Sequence, residues 1–199
     1  APHPHGSTPR EAIAIARSKN IARMLGTVVF CDASDAVGTG TPGESTWILK
    51  SLVEEAADLV SYVPVRDGEA AARAYAKELN ENISVSVGGK LDKTYNRPFV
   101  FTGILVHKSE GRLGKTVILR DRGVHLIITE QPDSTPRPSY FTDLGLSLWK
   151  ADIVVVKNLF AFLTSRRAVD RTPAAASLGL FILRLGLGLM MATGHGWGK

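Results

Sequence analysis

The sequence predicts an α/β protein of the mixed α+β kind: a mixed sheet with flanking helices, plus a C-terminal apolar helix. In the first eighty residues, helical patterns alternate with short apolar runs such as 27–31. From Ile83 onward, apolar and polar residues alternate, which is typical of half-buried strands. A continuous apolar run, 152–156, then returns, as expected of a strand buried on both faces. This order of elements predicts helices packed on a partly parallel, partly antiparallel sheet.

Three helices are predicted in the first half of the chain. The first spans 8–25, where Thr8 is a candidate N-cap and Glu11 stands three residues later, in capping-box spacing. Gly26 ends its pattern. The second and third helices are predicted over 45–58 and 67–79, with Ser45 or Thr46 and then Asp67 as their N-caps.

Seven strands are predicted from apolar runs and alternating patterns that end at glycine or polar turns. A turn at Asp121-Arg122-Gly123 separates two of them, and the proline-rich segment 132–138 is expected to be a loop. The predicted strands are 27–31, 60–65, 83–87, 99–107, 115–120, 124–130 and 152–156.

Length and composition favour one compact domain with an appendage, since the chain has 199 residues and 44% of them are hydrophobic. The formal net charge of +5 comes from scattered Lys and Arg residues that are not interleaved with aromatics, so no nucleic-acid partner is expected. Cys31 is the single cysteine and excludes an internal disulfide. Beside an apolar strand, it is expected to be a small buried hydrophobe rather than a nucleophile.

The two ends of the chain differ from the segment between them. Residues 1–7 read as a linker, 8–172 as the domain, and 173–199 as an apolar tail. Within the tail, 178–193 is nearly all apolar and slightly shorter than a bilayer span, and it is a candidate transmembrane helix. The alternative is a buried C-terminal helix of the domain. We expect a fragment of a longer protein, with a cytoplasmic location and membrane association through the tail.

The strongest functional signal is a strand that ends in two acids and continues into a glycine-rich loop and a helix. Asp32 and Asp35 follow the strand, and in open α/β folds ligands bind at the carboxyl ends of strands. Lys157 emerges from the late buried strand, where it can pair with either acid in a structural ion pair or face a substrate. A plain strand–turn–helix connection, with the acids capping backbone amides, stays open as the alternative. The loop and helix-start candidates are Gly38, Gly40, Gly43, Ser45 and Thr46.

Several segments, in the right order, resemble the C-terminal domain of the microcystinase C (MlrC) family of zinc metallopeptidases. The resemblance spans about residues 8–170. It departs from the family pattern at Ala36-Val37, where the family has Asn-Pro, and at Ala161-Phe162-Leu163, where a family arginine is lost. The matching segments are Asp32-Ala33-Ser34-Asp35, Gly38-Thr39-Gly40, Gly43-Glu44-Ser45-Thr46, Gly88-Gly89-Lys90-Leu91-Asp92 and Val154-Val155-Val156-Lys157-Asn158-Leu159-Phe160. Residues 178–199 resemble the first membrane helix of the DoxX family.

The resemblance implies that zinc is held by an N-terminal domain that this chain lacks, and that this chain binds none. A catalytic zinc needs about three clustered ligands. The chain has no His-Glu-x-x-His, and its histidines are scattered: His3, His5, His107, His125 and His195. We therefore expect an accessory domain that is inactive alone. Its expected partners are an upstream catalytic domain and a peptide-like substrate.

Within that framework, the candidates for substrate binding or support across a domain interface are the residues of the loop and its surroundings. Asp32 and Asp35 can orient a histidine or a substrate amine. The amides of 38–43 can bind a carboxylate or an oxyanion beside the helix start that contains Ser45 and Thr46.

Two other functions are weighed against the accessory domain. A membrane-tethered, non-catalytic binding module depends on the apolar run 178–193. A phosphate or nucleotide binder is disfavoured, because the glycine spacing is not that of a P-loop and no lysine follows Gly43.

Overall fold

The computed structural model describes residues 7–18, 26–133 and 137–158. Within these ranges, the chain forms one seven-stranded mixed sheet in the order β1-β7-β2-β6-β5-β4-β3. The predicted mixed fold is confirmed. The strands are β1 (Val28–Cys31), β2 (Ser61–Arg66), β3 (Asn82–Val87), β4 (Phe99–Gly111), β5 (Gly114–Asp121), β6 (Val124–Thr129) and β7 (Ile153–Val156).

The sheet has a parallel half and an antiparallel half. Strands β1, β7, β2 and β6 are parallel neighbours, whereas β6, β5, β4 and β3 are antiparallel neighbours. Because parallel strands point in one direction, the carboxyl ends of β1, β7, β2 and β6 meet at one edge of the sheet. We call this the carboxyl edge.

All seven predicted strands are present, and six of them have both ends within one residue of the prediction. The exception is β4, which continues to Gly111 instead of ending near His107. The register shifts between Leu105 and His107, and a bulge of this kind adds one residue to a strand without ending it. Beyond the bulge, polar residues pair with β5 in a hairpin arm, so apolar alternation could not predict this part.

Four α-helices lie within the described ranges, and three of them were predicted. Thr8 and Glu11 form the capping box: Glu11 N–H donates to Thr8 Oγ1 at 3.3 Å, and Thr8 N–H donates to Glu11 Oε2 at 2.8 Å. Asp67 caps its helix as predicted, because Oδ1 accepts from Ala70 N–H at 3.0 Å. The helices are α1 (Pro9–Ser18), α2 (Trp47–Glu55), α3 (Gly68–Tyr75) and α4 (Pro138–Thr142).

Apolar layers cover both faces of the sheet, and strand alternation separates them. In β2, Val63 and Val65 pack into the layer that includes residues of α1, α2 and α3, whereas Tyr62 packs into the layer beneath α4. Strand β7 lies between β1 and β2, next to the edge strand, and is buried over Ile153–Val155. This confirms that the run 152–156 is a buried strand.

The predictions for the ends of the chain fall outside the described residues. They are the linker before residue 7, the end of the first helix at 19–25, and the apolar tail 173–199 with its run 178–193. In the part of the chain that the structure describes, no helix is both long enough and apolar enough to cross a membrane.

Candidate functional site

The candidate site lies at the carboxyl edge, where each parallel strand delivers a charged residue. Asp32 directly follows β1, Lys157 follows β7, and Asp67 follows β2. The sequence separates Lys157 from Asp32 by 125 positions, but β1 and β7 pair in parallel along their full length. Sheet topology therefore brings the predicted acids and the predicted lysine together.

Lys157, Asp32 and Asp35 form a buried ion cluster, which we call the triad. Lys157 Nζ lies 3.0 Å from Asp32 Oδ2 and 2.8 Å from Asp35 Oδ2. Residue exposures are 5% for Lys157, 6% for Asp32 and 3% for Asp35. At this burial, the two carboxylates depend on the ammonium for charge compensation.

The ammonium of Lys157 is saturated within the chain. It has three N–H donors, and its third acceptor, after the two carboxylates, is Ser45 O at 3.2 Å. All three donors thus serve to join the end of β7 to the loop after β1. In this arrangement, Lys157 works as a cross-link and has no N–H left for a ligand.

Asp35 organises the glycine-rich loop from inside. Its Oδ1 accepts from Gly43 N–H at 2.9 Å, and its Oδ2 accepts from Ser45 N–H at 2.7 Å. Ser45 lies two residues before α2, so the carboxylate also faces the positive end of that helix. The Gly43 amide, predicted as part of an anion site, is therefore occupied by a carboxylate of the same chain.

The other glycines of the loop are placed differently. Gly38 and Gly40 are exposed at the loop tip, where the Gly40 N–H donates to Val37 O at 3.0 Å. Gly43 is buried with a φ of +76°, and a Cβ there would lie 2.8 Å from the Val37 side chain. Glycine is therefore required at Gly43 for space as well as conformation.

Thr46 occupies the N-cap position of α2, but its hydroxyl does not cap the helix. Thr46 Oγ1 donates to Arg97 O at 2.8 Å instead. The predicted side-chain cap by Ser45 or Thr46 is wrong at Thr46, because a carbonyl from a distant loop takes its hydroxyl. The structure thereby ties the start of α2 to the segment before β4.

Glu44 is a central residue of this edge that the sequence reasoning did not select. It is 2% exposed, and its carboxylate accepts from three consecutive amides, those of Lys90, Leu91 and Asp92, at distances from 2.6 to 3.1 Å. Two segments of the family resemblance, 43–46 and 88–92, are thus joined by one side chain. A glutamate next to a glycine, followed later by a Gly-Gly turn, was the available signal.

Asp67 and Lys90 extend the charged network. Asp67 Oδ2 accepts from Gly88 N–H at 2.9 Å, and Oδ1 accepts from Lys90 Nζ at 3.0 Å. Lys90 Nζ also lies 3.0 Å from Glu69 Oε2, and this hydrogen bond lowers the pKa of Glu69. Lys90 therefore links the 88–92 turn to the start of α3.

Among the described residues, the histidines and the cysteine considered from the sequence as ligands or nucleophiles do not join the ion cluster of the triad. His107 and His125 are strand residues with local partners, Ser109 Oγ and Gly123 O respectively. Burial lowers the pKa of His125. Cys31 is half-buried and not buried as expected, but partial burial raises the pKa of its thiol to about 11, which agrees with an unreactive thiol.

The donor set does not suit a catalytic zinc ion. The position between the two triad carboxylates is taken by the ammonium of Lys157. Over residues 7–18, 26–133 and 137–158, no three His, Cys, Asp or Glu side chains are grouped so that they could hold a metal ion. His3, His5 and His195 lie outside these ranges.

Known proteins resemble the part of the chain that contains these segments. The family model described as MlrC C-terminus matches residues 30–172. Microcystinase C from Sphingomonas sp is 25% identical over 143 residues, a match that covers 66% of this chain and 28% of that protein. The crystal structure named "Putative metallopeptidase" from Mesorhizobium sp. BNC1 has a TM-score of 0.68 at 21% identity, covering 77% of this chain and 33% of that one.

This chain therefore spans about a third or less of the length of these two relatives. At 21% identity, the solved structure shows a shared fold and nothing finer. The family model covers more than half of the chain, and the chain belongs to the MlrC C-terminus family.

Proposed function

We propose that this chain is the accessory C-terminal domain of an MlrC-like zinc metallopeptidase or amidohydrolase, and that its carboxyl edge shapes one wall of the active-site cleft. One observation carries the proposal: the segments that resemble the family converge at this edge. Residues 32–35, 43–46, 88–92 and 154–158 are held together by the triad and by Glu44. The zinc and its ligands belong to the preceding domain.

Within this wall, Asp32 is the residue best suited to reach across an interface. Both oxygens of Asp35 accept backbone amides in hydrogen bonds that are buried inside the protein, and Lys157 has no free donor. Asp32 Oδ1 accepts from the Ser34 hydroxyl at 2.8 Å, and a carboxylate oxygen can accept a second hydrogen bond. We assign to this oxygen an N–H donor from the substrate or from a histidine of the preceding domain.

Activity assays of the longer protein, consisting of the preceding polypeptide of the same gene and this chain, test the proposal. The zinc-loaded protein is assayed with microcystin and with blocked peptides. Microcystin is chosen because the Sphingomonas relative is named for it. Asp32→Asn is expected to lower kcat by about tenfold or more, because Asn has one acceptor oxygen instead of two and a hydrogen bond to a charged group is lost. Residues 1–199 with zinc alone are expected to hydrolyse none of these.

Glu54→Gln is the matched control, because it removes a carboxylate whose ion pair with Lys50, at 3.9 Å, is exposed. Its activity is expected to equal that of the wild type. The melting temperatures of both variants separate lost function from lost fold. If a folded Asp32→Asn variant keeps full activity, the triad has only a structural role and the proposed role of Asp32 is overturned.

A membrane-tethered binding module is the second candidate, and the apolar sequence of 178–193 favours it. We propose a cytoplasmic location, with the DoxX-like tail as a membrane contact. Flotation with phosphatidylcholine–phosphatidylglycerol vesicles, with and without 173–199, tests this. If both forms float with the vesicles to the same extent, the proposed membrane contact through the tail is refuted.

A further inference from the structure

Three large apolar side chains stand exposed on two neighbouring segments beside the carboxyl edge. The exposures are 50% for Trp47, 62% for Leu91 and 76% for Tyr95. Trp47 begins α2, and the other two lie in the loop between β3 and β4. We call these three residues the aromatic platform.

The backbone beneath the platform is firmly built. Trp47 Nε1 donates to Tyr95 O at 3.0 Å, and Leu91 N–H donates to the Glu44 carboxylate at 2.9 Å. Gly88 has a φ of +71°, and a Cβ there would lie 2.3 Å from Glu44 O, so the two segments are in close contact. The side chains are thus presented from a fixed scaffold, which lowers the entropy cost of binding.

The charges around the platform define the chemistry of a partner. Lys93 and Arg97 are exposed in the same loop. The Arg97 guanidinium donates to the backbone carbonyls of Lys93, Thr94 and Asn96, and within the described ranges neither cation pairs with a carboxylate. A complementary surface therefore offers an apolar socket with Asp or Glu at its rim.

We infer that the aromatic platform is where the preceding domain of the longer protein docks. This rests on the proposed function. The relatives extend well beyond the matched region, since this chain covers 28% of one and 33% of the other. The platform is also continuous with the site: Ser45, two residues before Trp47, is bonded to both Asp35 and Lys157. A domain seated on the platform therefore lies beside the carboxyl edge.

Hydroxyl-radical footprinting of the full-length protein and of residues 1–199 tests the inference. Docking is expected to lower labelling of Trp47 and Tyr95 by about fivefold, because buried interface aromatics lose contact with solvent. Trp149 is the matched internal control. It is 79% exposed on the turn before β7, at the opposite end of the parallel strands, and its labelling is expected to be unchanged.

A Leu91→Asp variant of the full-length protein provides a second readout. The substitution keeps the backbone N–H that Glu44 accepts, but it places a charge within the platform. Labelling of Trp47 is expected to return towards the value in residues 1–199, and hydrolysis is expected to fall. Light scattering of residues 1–199 gives their oligomeric state.

The outcomes separate the two proposals. Protection of Trp47 and Tyr95 without hydrolysis supports docking and refutes the peptidase function. Hydrolysis with equal labelling of Trp47 in both forms refutes docking alone. A dimer of residues 1–199 in which the platform is already protected overturns the assignment in favour of a second copy of the chain.

Discussion

Replacing Lys157 by Met tests whether the triad holds the carboxyl edge together. The substitution keeps much of the side-chain length and removes the charge. It removes three hydrogen bonds at once, to Asp32 Oδ2, Asp35 Oδ2 and Ser45 O. It also leaves two carboxylates, 6% and 3% exposed as residues, without the cation that compensates them.

Removing one partner of a buried ion pair costs about 3–5 kcal/mol, because a buried charge is left uncompensated. Asp35 keeps its two backbone amide donors, which offset part of the loss, so we expect a loss of about 4 kcal/mol in the free energy of unfolding. For a chain of this length, the melting temperature falls by roughly 10 °C.

Urea unfolding followed by circular dichroism measures this loss. Lys50→Met is the control, since Lys50 has a half-exposed ammonium 3.9 Å from Glu54, and exposed pairs contribute less than about 1 kcal/mol. Adding Asp32→Asn to Lys157→Met removes one of the two uncompensated charges and is expected to restore part of the stability. A loss below about 1 kcal/mol for Lys157→Met, or no recovery in the double variant, would refute the buried-charge argument.

Two further predictions follow from shifted pKa values. Burial raises the pKa of the Cys31 thiol to about 11, so at pH 8 the folded chain holds about a hundredfold less thiolate than the urea-unfolded chain. Iodoacetamide is therefore expected to alkylate the folded chain more slowly by a similar factor. Equal alkylation rates of the folded and unfolded chains would contradict this. Burial lowers the pKa of His125. Below pH 6.5 the unfolded state therefore binds more protons at this residue, and the free energy of unfolding decreases as the pH is lowered. His125→Phe keeps a ring against Tyr62, which His125 contacts at 5.3 Å between ring centroids, and should show a shallower fall between pH 7 and pH 5; equal slopes in urea titrations would contradict the assignment.

The strands were predictable because burial leaves a repeating signal in each of them. The alternation of 83–87 and the continuous run of 152–156 state how many faces of a strand are buried, and both strands formed where predicted. Helix α4 was not predicted, because its five residues, Pro138–Thr142, are too few to show a helical period and fall at the end of a proline-rich segment.

The site was predictable only where an acid or a base stood at the end of a strand. Asp32 and Lys157 do so, and their pairing follows once β1 and β7 are neighbours. Glu44 does not, because its partners are backbone amides of residues 90–92. Sequence patterns do not indicate which loop donates its backbone N–H groups to a distant carboxylate such as that of Glu44. The two glycines before that loop, with φ of +71° and +61°, are the local cause.

The carboxyl edge is organised by carboxylates of the chain itself, and this changes how its glycine-rich loop should be understood. A loop of this composition predicts amides that wait for an anionic ligand. Here Asp35 takes the Gly43 amide, and Glu44 takes the amides of the 88–92 turn. Each internal anion fixes a loop before any ligand arrives, which is the condition for a preorganised wall. Under the proposed function, an external group meets what these anions leave accessible: Asp32 Oδ1, which accepts from the hydroxyl of the exposed Ser34, and the exposed loop tip around Gly40.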